Sequence, residues 1–300
     1  MWDKFCLAVI EFFFKGLALL PFSILYLISD FLYFFIYYVI GYRKKVVRSN
    51  LIASFPDKTE KEITIIQKKF YRHFCDYIVE TLKILHISDK ETKERVKFVN
   101  PEVVDKLLEG NTTRPVFLYM GHYCNWEYVT SITLWVSHAM KGMHVYHPLS
   151  NKIMDKFFLK LRSRFNTEGI PMAHIYRRLI KTIQDGEQVV VGLIADQRPR
   201  KKFSTEWMTF LNQDTALITG GEVMGHRLDA HFVYVRMKCP KRGYYEFEFS
   251  LIQPSKNEDF PITKEFFRLL EQDIIQAPEY WLWSHKRWKY SYLKKMQEQQ

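Results

Sequence analysis

The stretch Pro115–Glu127, PVFLYMGHYCNWE, decides how this chain is read. Residues 115–120 form a continuous apolar run of strand length. Gly121 then supplies a turn, and a helical stretch is expected from about Trp126 to Met140. Working outward, further strands are expected at 96–99, 143–146, 188–195, 230–238 and 244–252. Helices are expected at 46–55, 57–86, 101–109, 152–165, 174–185, 215–227 and 262–277, with Thr59 capping the second. Strands alternating with helices indicate an α/β domain, with a mixed, largely parallel sheet flanked by helices.

In open α/β sheets, ligands bind at the carboxyl ends of the strands, which is where His122 falls. Glu127 lies five residues on, the wrong spacing for two side chains on one helix face. It suits a loop histidine folded back against a carboxylate at a helix N-terminus. A His–carboxylate pair is the general-base half of a triad without its serine. The carboxylate takes one ring nitrogen, and the other accepts a proton from a substrate hydroxyl that attacks an activated acyl group. Two other readings stay open: a structural histidine, and a Cys124–His122 nucleophile. Against the second, Cys and His two apart on a turn seldom meet, and a free Cys packs as a small hydrophobe.

The chain has 300 residues, 44 Lys+Arg against 33 Asp+Glu, and a formal net charge of +11. At 47% hydrophobic with only 12 Gly and 11 Pro, it is neither disordered nor collagen-like. Four scattered cysteines without a Cys-x-x-Cys pair argue against a disulfide framework or zinc ribbon. The excess charge sits in three acid-free clusters. These are Arg43, Lys44, Lys45 and Arg48; Arg198, Arg200, Lys201 and Lys202; and Lys286, Arg287, Lys289, Lys294 and Lys295. Without those 13 bases, 31 Lys+Arg stand against 33 Asp+Glu, so local anionic partners are implied. Nucleic acid is not expected among them, since no helix-turn-helix, zinc knuckle or RNA-binding fingerprint is present.

Residues 5–40 are the most apolar part of the chain, and 16–42 carry Asp30 as their only charge. That is long enough to span a bilayer with tilt, with Pro21 breaking it into two helices. A span and a membrane-embedded hairpin both fit. No small-residue cleavage site follows, which disfavours a secretory signal. The basic flank after the stretch places the remainder on the cytoplasmic side. A membrane anchor over 1–45 and a catalytic domain over 46–300 are therefore expected.

Five segments carry a resemblance to the bacterial lipid A late acyltransferase family, the lauroyl/myristoyl transferases of the lysophospholipid-acyltransferase-like superfamily. They are VVRSNLIASFPDKT (46–59), GHYCNWE (121–127), HPLSNKIMDKFFLKLRSRF (147–165), LIADQRP (193–199) and APEYWLWSHKRWK (277–289). They run in family order over nearly the whole chain. The resemblance implies a glycerolipid-acyltransferase-like fold, with His122 as base and Glu127 as its partner. It also implies Arg164 as the arginine of the second block and Asp196 as the acid of the third; a strand-end cap remains the alternative for Asp196. Arg198, and Lys152 in place of an arginine replaced here by His147, would contact anionic parts of the substrates. The implied donor is acyl carrier protein, and the implied acceptor is a hydroxyl of a lipid A precursor. The reaction needs no cofactor or metal, and its place is the cytoplasmic side of the bacterial inner membrane, against phospholipid. A lysophospholipid or other glycolipid acceptor, and a non-catalytic lipid-binding protein, are the competing readings.

Overall fold

Each of those apolar runs becomes a strand of one seven-stranded sheet, ordered β1-β9-β8-β2-β5-β3-β4. The computed structural model describes residues 13–110, 113–254 and 256–298. The strands are β1 (Val96–Phe98), β2 (Val116–Met120), β3 (Lys141–Tyr146), β4 (Thr167–Pro171), β5 (Val189–Ile194), β8 (His231–Lys241) and β9 (Tyr244–Leu251). Neighbours are parallel except β8 and β9, which pair antiparallel. The fold is thus mixed α/β, with a largely parallel sheet between helices. All five residues of β2 are buried, as a central strand covered on both faces requires.

The expected helix over 57–86 forms as α4 (Glu60–Lys83). Thr59 accepts from the Glu62 amide while Glu62 reaches back to the Thr59 amide, a reciprocal cap. Other helices are α3 (Lys44–Ser54), α5 (Asp89–Arg95), α6 (Glu102–Leu108), α7 (Lys152–Arg162), α8 (Ile175–Gln184), α9 (Gly220–Arg227), α10 (Pro261–Gln276) and α11 (Tyr292–Glu298).

Three local expectations change. The helix expected over 126–140 is a 3-10 helix, Trp126–Leu134. Thr130 and Ser131 there donate to the carbonyls of Glu127 and Tyr128, three residues back. Such side-chain bonds compete with an α-helical ladder. Residues 215–216 belong to a hairpin of β6 (Trp207–Phe210) and β7 (Gln213–Ala216), so the helix expected from 215 starts at Gly220. Strand β4 was not expected; its Gly169 and Pro171 hide the strand pattern.

Residues 13–19 are helical (α1). As expected, Pro21 interrupts the apolar stretch and stands at the N-terminus of α2 (Phe22–Phe34). A π-helical segment, Phe35–Ile40, continues it and closes on Gly41 at φ 65°. Over Phe22–Ile40 the chain is long and apolar enough to cross a membrane, with mean hydropathy 1.8. One face of this helix is nonetheless packed: Phe22, Tyr33 and Tyr37 join the core with Phe70 and Tyr71 of α4, and Leu25 on the same helix is buried. Ser29 donates to Asp76 at 2.6 Å, and Arg242 ties Asp76 to Asp30. The opposite face leaves Leu27, Phe31, Phe34, Val39 and Ile40 exposed. Residues 22–37 thus pack against α4, and Asp30 is tied to Arg242.

Candidate active site

Strands β2 and β5 lie side by side in parallel, with Met120 opposite Ile194. The residue two positions beyond each strand end is His122 on one side and Asp196 on the other, so register alone brings them together. Asp196 Oδ1 lies 2.5 Å from His122 Nδ1, and Asp196 Oδ2 accepts from the His122 amide at 2.9 Å. Trp281 Nε1 donates to the same Oδ2 at 2.8 Å. Gly121 is required by close approach: a Cβ there would lie 2.7 Å from Leu270 and 3.4 Å from Asp196 Oδ2. Burial by itself would raise the Asp196 pKa. The His122 ring, the two bonds from His122 and the Trp281 N–H outweigh it and hold Asp196 below the usual carboxylate range.

The other ring nitrogen, His122 Nε2, lies 3.1 Å from Gln197 Nε2. With Nδ1–H given to the carboxylate, Nε2 is left as an acceptor, and the Gln197 amide marks the direction from which it takes a hydrogen. The His122 side chain is 17% exposed, so a substrate can reach it. Its ring packs edge-on against Trp126, with centroids 4.9 Å apart.

Two expected contacts are corrected by this geometry. Glu127 is not the carboxylate on His122 Nδ1. Its oxygens accept from Arg162 Nε at 2.7 Å and Nη2 at 2.6 Å, a two-pronged pair that is almost wholly buried on the glutamate side. Burial would raise the Glu127 pKa, but Arg162, by charge and hydrogen bonding, brings it below the ordinary value. Nor is Arg164 the arginine of the cluster. It donates to the Ile87 carbonyl and to Asp89, both at 2.9 Å, and so ties the end of α7 to the start of α5. Residues two apart near a helix end point about 200° from one another, so only one of Arg162 and Arg164 can face Glu127.

The remaining expected residues are distributed as follows. Arg198 stands two residues past Asp196, its guanidinium 4.6 Å from the Tyr290 ring centre. Lys152 is exposed at the first residue of α7 and, among the described residues, makes none of the contacts of the His122 cluster. His147 is engaged by Arg200 at 2.7 Å. The Cys124 reading fails: the thiol is fully buried, and burial pushes its pKa well above the ordinary value.

Sequence spacing missed the parts that hold the loop. The Cys124 amide donates to the Tyr280 carbonyl and the Leu282 amide to the His122 carbonyl, with a bridge between Tyr123 and Trp281. Loop 121–125 is thus zipped to the C-terminal segment. Asn50 fixes that segment in turn by donating to the carbonyls of Trp283 and His285. On the other side, Asn125 donates to the buried carboxylate of Glu80 at 2.9 Å. The detectable signal was the pair of motifs Asn-Leu-x-x-x-Phe-Pro and Trp-x-His-x-Arg-Trp-Lys, which the fold joins.

His144 of β3 lies buried beside the Glu127–Arg162 pair, with neither ring nitrogen bonded among the described residues. Burial, reinforced by Arg162, lowers its pKa to about 4. The unfolded chain, with a histidine pKa of about 6.5, binds a proton that the fold excludes. Stability is therefore complete above about pH 6.5 and falls towards pH 4, by up to about 3 kcal/mol from this residue. Urea midpoints measured between pH 4.5 and 7 should show this slope, and His144→Asn should reduce it.

The comparisons agree with the motifs. Residues 4–290 match the family described as bacterial lipid A biosynthesis acyltransferase. The lipid A biosynthesis palmitoleoyltransferase of Escherichia coli (strain K12) is 23% identical over 250 residues, covering 82% of this chain and 79% of that protein. The lipid A biosynthesis acyltransferase of Shigella flexneri matches to the same extent. This chain belongs to the bacterial lipid A biosynthesis acyltransferase family, and it is an acyltransferase.

Proposed function

We propose that the protein moves a fatty acyl chain from a thioester on acyl carrier protein to a hydroxyl of a lipid A precursor. The observation that carries this reading is the polarised histidine at the sheet edge, with Nδ1 on Asp196 and Nε2 left as an acceptor facing the Gln197 amide. The acceptor hydroxyl takes the place of the Gln197 amide. His122 Nε2 removes its proton as the oxygen attacks the thioester carbonyl, and Asp196 stabilises the imidazolium that forms. Collapse of the tetrahedral adduct breaks the C–S bond, and the departing sulfur takes the proton back from His122. The acceptor supplies the nucleophile, so the thiol of Cys124 has no part. In this mechanism the role of Glu127 passes through Arg162, whose position it fixes.

The N-terminal helix supports a place at a membrane. Because α2 is packed along one face from Phe22 to Tyr37, it lies against the domain rather than standing clear of it. Its exposed apolar face then enters one leaflet from the side, as an interfacial helix does. Positive-inside reasoning puts the domain on the cytoplasmic side of the inner membrane. Within the first basic cluster, Arg43 donates to the Ser284 carbonyl and Arg48 pairs with Glu60. Lys45 stays exposed for anionic headgroups.

The test is transfer by the full chain in mixed phospholipid vesicles, using labelled acyl carrier protein thioester. A lipid A precursor and a lysophospholipid are offered as competing acceptors. Label is expected in the lipid A precursor. Label in the lysophospholipid alone would overturn the acceptor assignment, and equal rates from an acyl-coenzyme A donor would overturn the donor.

A further inference from the structure

Beside the His122–Asp196 pair, one buried side chain, Arg287, and two part-exposed ones, Arg198 and His285, each hold a buried nitrogen without a partner among the described residues. Arg287 is 2% exposed, and its Nε has no partner among the described residues. Its Nη2 donates to the Ala216 carbonyl, and no carboxylate lies within ion-pair distance of it among the described residues. Arg198 Nε and His285 Nδ1 are likewise buried and unbonded among the described residues. The acid acting on Arg287 is Asp196, whose oxygens already serve His122 and Trp281. Arg198 and Arg287 feel one another's charge, and both act on His285, as do Asp196 and His122.

A buried guanidinium without a counter-anion is costly, and Arg287 with the part-exposed Arg198 beside one committed carboxylate leaves a net positive charge there. Burial holds His285 neutral, with its pKa near 4, so it offers a single N–H without adding charge. Two cationic donors and one neutral donor fit a tetrahedral dianion with several acceptor oxygens better than a flat monoanion. The backbone holds the donors in place. Asn50 fixes the His285 carbonyl, the Arg287 amide donates to that same carbonyl, and Tyr290 stacks on Arg198.

We propose that Arg198, Arg287 and His285 form a binding site for a phosphate group of a substrate, next to the reacting histidine. This rests on the acyl-transfer reading for the identity of the phosphate, which belongs either to the lipid acceptor or to the pantetheine arm of the donor. The site itself follows from the unused donors.

Pyrophosphate at constant ionic strength is expected to raise the melting temperature of the wild-type protein and to leave Arg198→Gln unmoved. Arg198 is part-exposed, so that variant folds even if Arg287→Gln does not; Arg287→Lys, which keeps the charge but loses the fork, should respond weakly. In transfer assays, removing one phosphate from the lipid acceptor is expected to raise KM roughly 10- to 100-fold in wild type. In Arg198→Gln that penalty should shrink to under about threefold if the acceptor is the source. If the donor is the source, the same pattern appears when an acyl-phosphopantetheine is compared with an acyl-pantetheine. Equal pyrophosphate responses in wild type and both variants overturn the site. Phosphate penalties that are the same in wild type and Arg198→Gln for both substrates, with only kcat lowered, also overturn it. An intact pyrophosphate response without any acyl transfer by wild type upholds the site and overturns the acyl-transfer reading instead.

Discussion

Asp196→Asn is expected to lower kcat by about 10²–10⁴-fold while leaving the melting temperature nearly unchanged. The carboxylate accepts from three donors: His122 Nδ1, the His122 amide and Trp281 Nε1. An asparagine of the same shape has one oxygen and one NH2. If the oxygen keeps the amide and the indole, the NH2 faces Nδ1 and forces the proton onto Nε2. The histidine is then in the wrong tautomer to accept from a hydroxyl. His122→Ala should cost as much, and the double variant no more than either single one, because the pair acts as a unit. Initial rates with saturating lipid acceptor provide the measurement. If Asp196→Asn stays within a few-fold of wild type while Glu127→Gln loses the activity, the spacing-based assignment of the base partner is right and the present one wrong.

The second large effect is on stability. Removing one member of the Glu127–Arg162 pair strands the other charge in the interior, at a cost of about 3–5 kcal/mol. For a chain of this size that corresponds to a loss of about 5–8 °C in melting temperature. Glu127→Ala is expected to show it. Glu127→Gln combined with Arg162→Met should recover much of the loss, since a neutral pair of similar volume strands no charge. The pair also sets an acid limit. The pKa of Glu127 is lower in the fold than in the unfolded chain. Its contribution is therefore present above the unfolded value near 4.3 and disappears as pH falls through the lower, folded one. Thermal melts of the single and double variants at pH 7 test the coupling; additive losses would mean that the pair is not energetically linked.

The difference between these two carboxylates shows where sequence reading stops. Spacing ties His122 to Glu127 because they are five residues apart. The structure ties His122 to a residue 74 positions away through the pairing of β2 with β5. Likewise, the motif resemblance pointed to Arg164, whereas the structure turns its neighbour Arg162 onto Glu127 and leaves Arg164 in a single turn of 3-10 helix beyond α7. The hairpin β6–β7 and strand β4 escaped notice because strands of four or five residues carry little periodic signal. The long elements were legible. The buried run of β2, the capped α4 and the break at Pro21 are each local in origin, and each forms where the residues predict.

The sequence by itself determined the alternation of strand and helix, the placing of His122 just beyond a strand end, and the family motifs at 46–59 and 277–289. Those depend on burial patterns and residue identity over a few turns of chain. Only the tertiary structure decided which acid meets the histidine, which arginine faces Glu127, and that Arg198, Arg287 and His285 come near enough to act on one another. These are matters of strand register and of contacts between segments far apart in the chain, and local propensity carries no information about either.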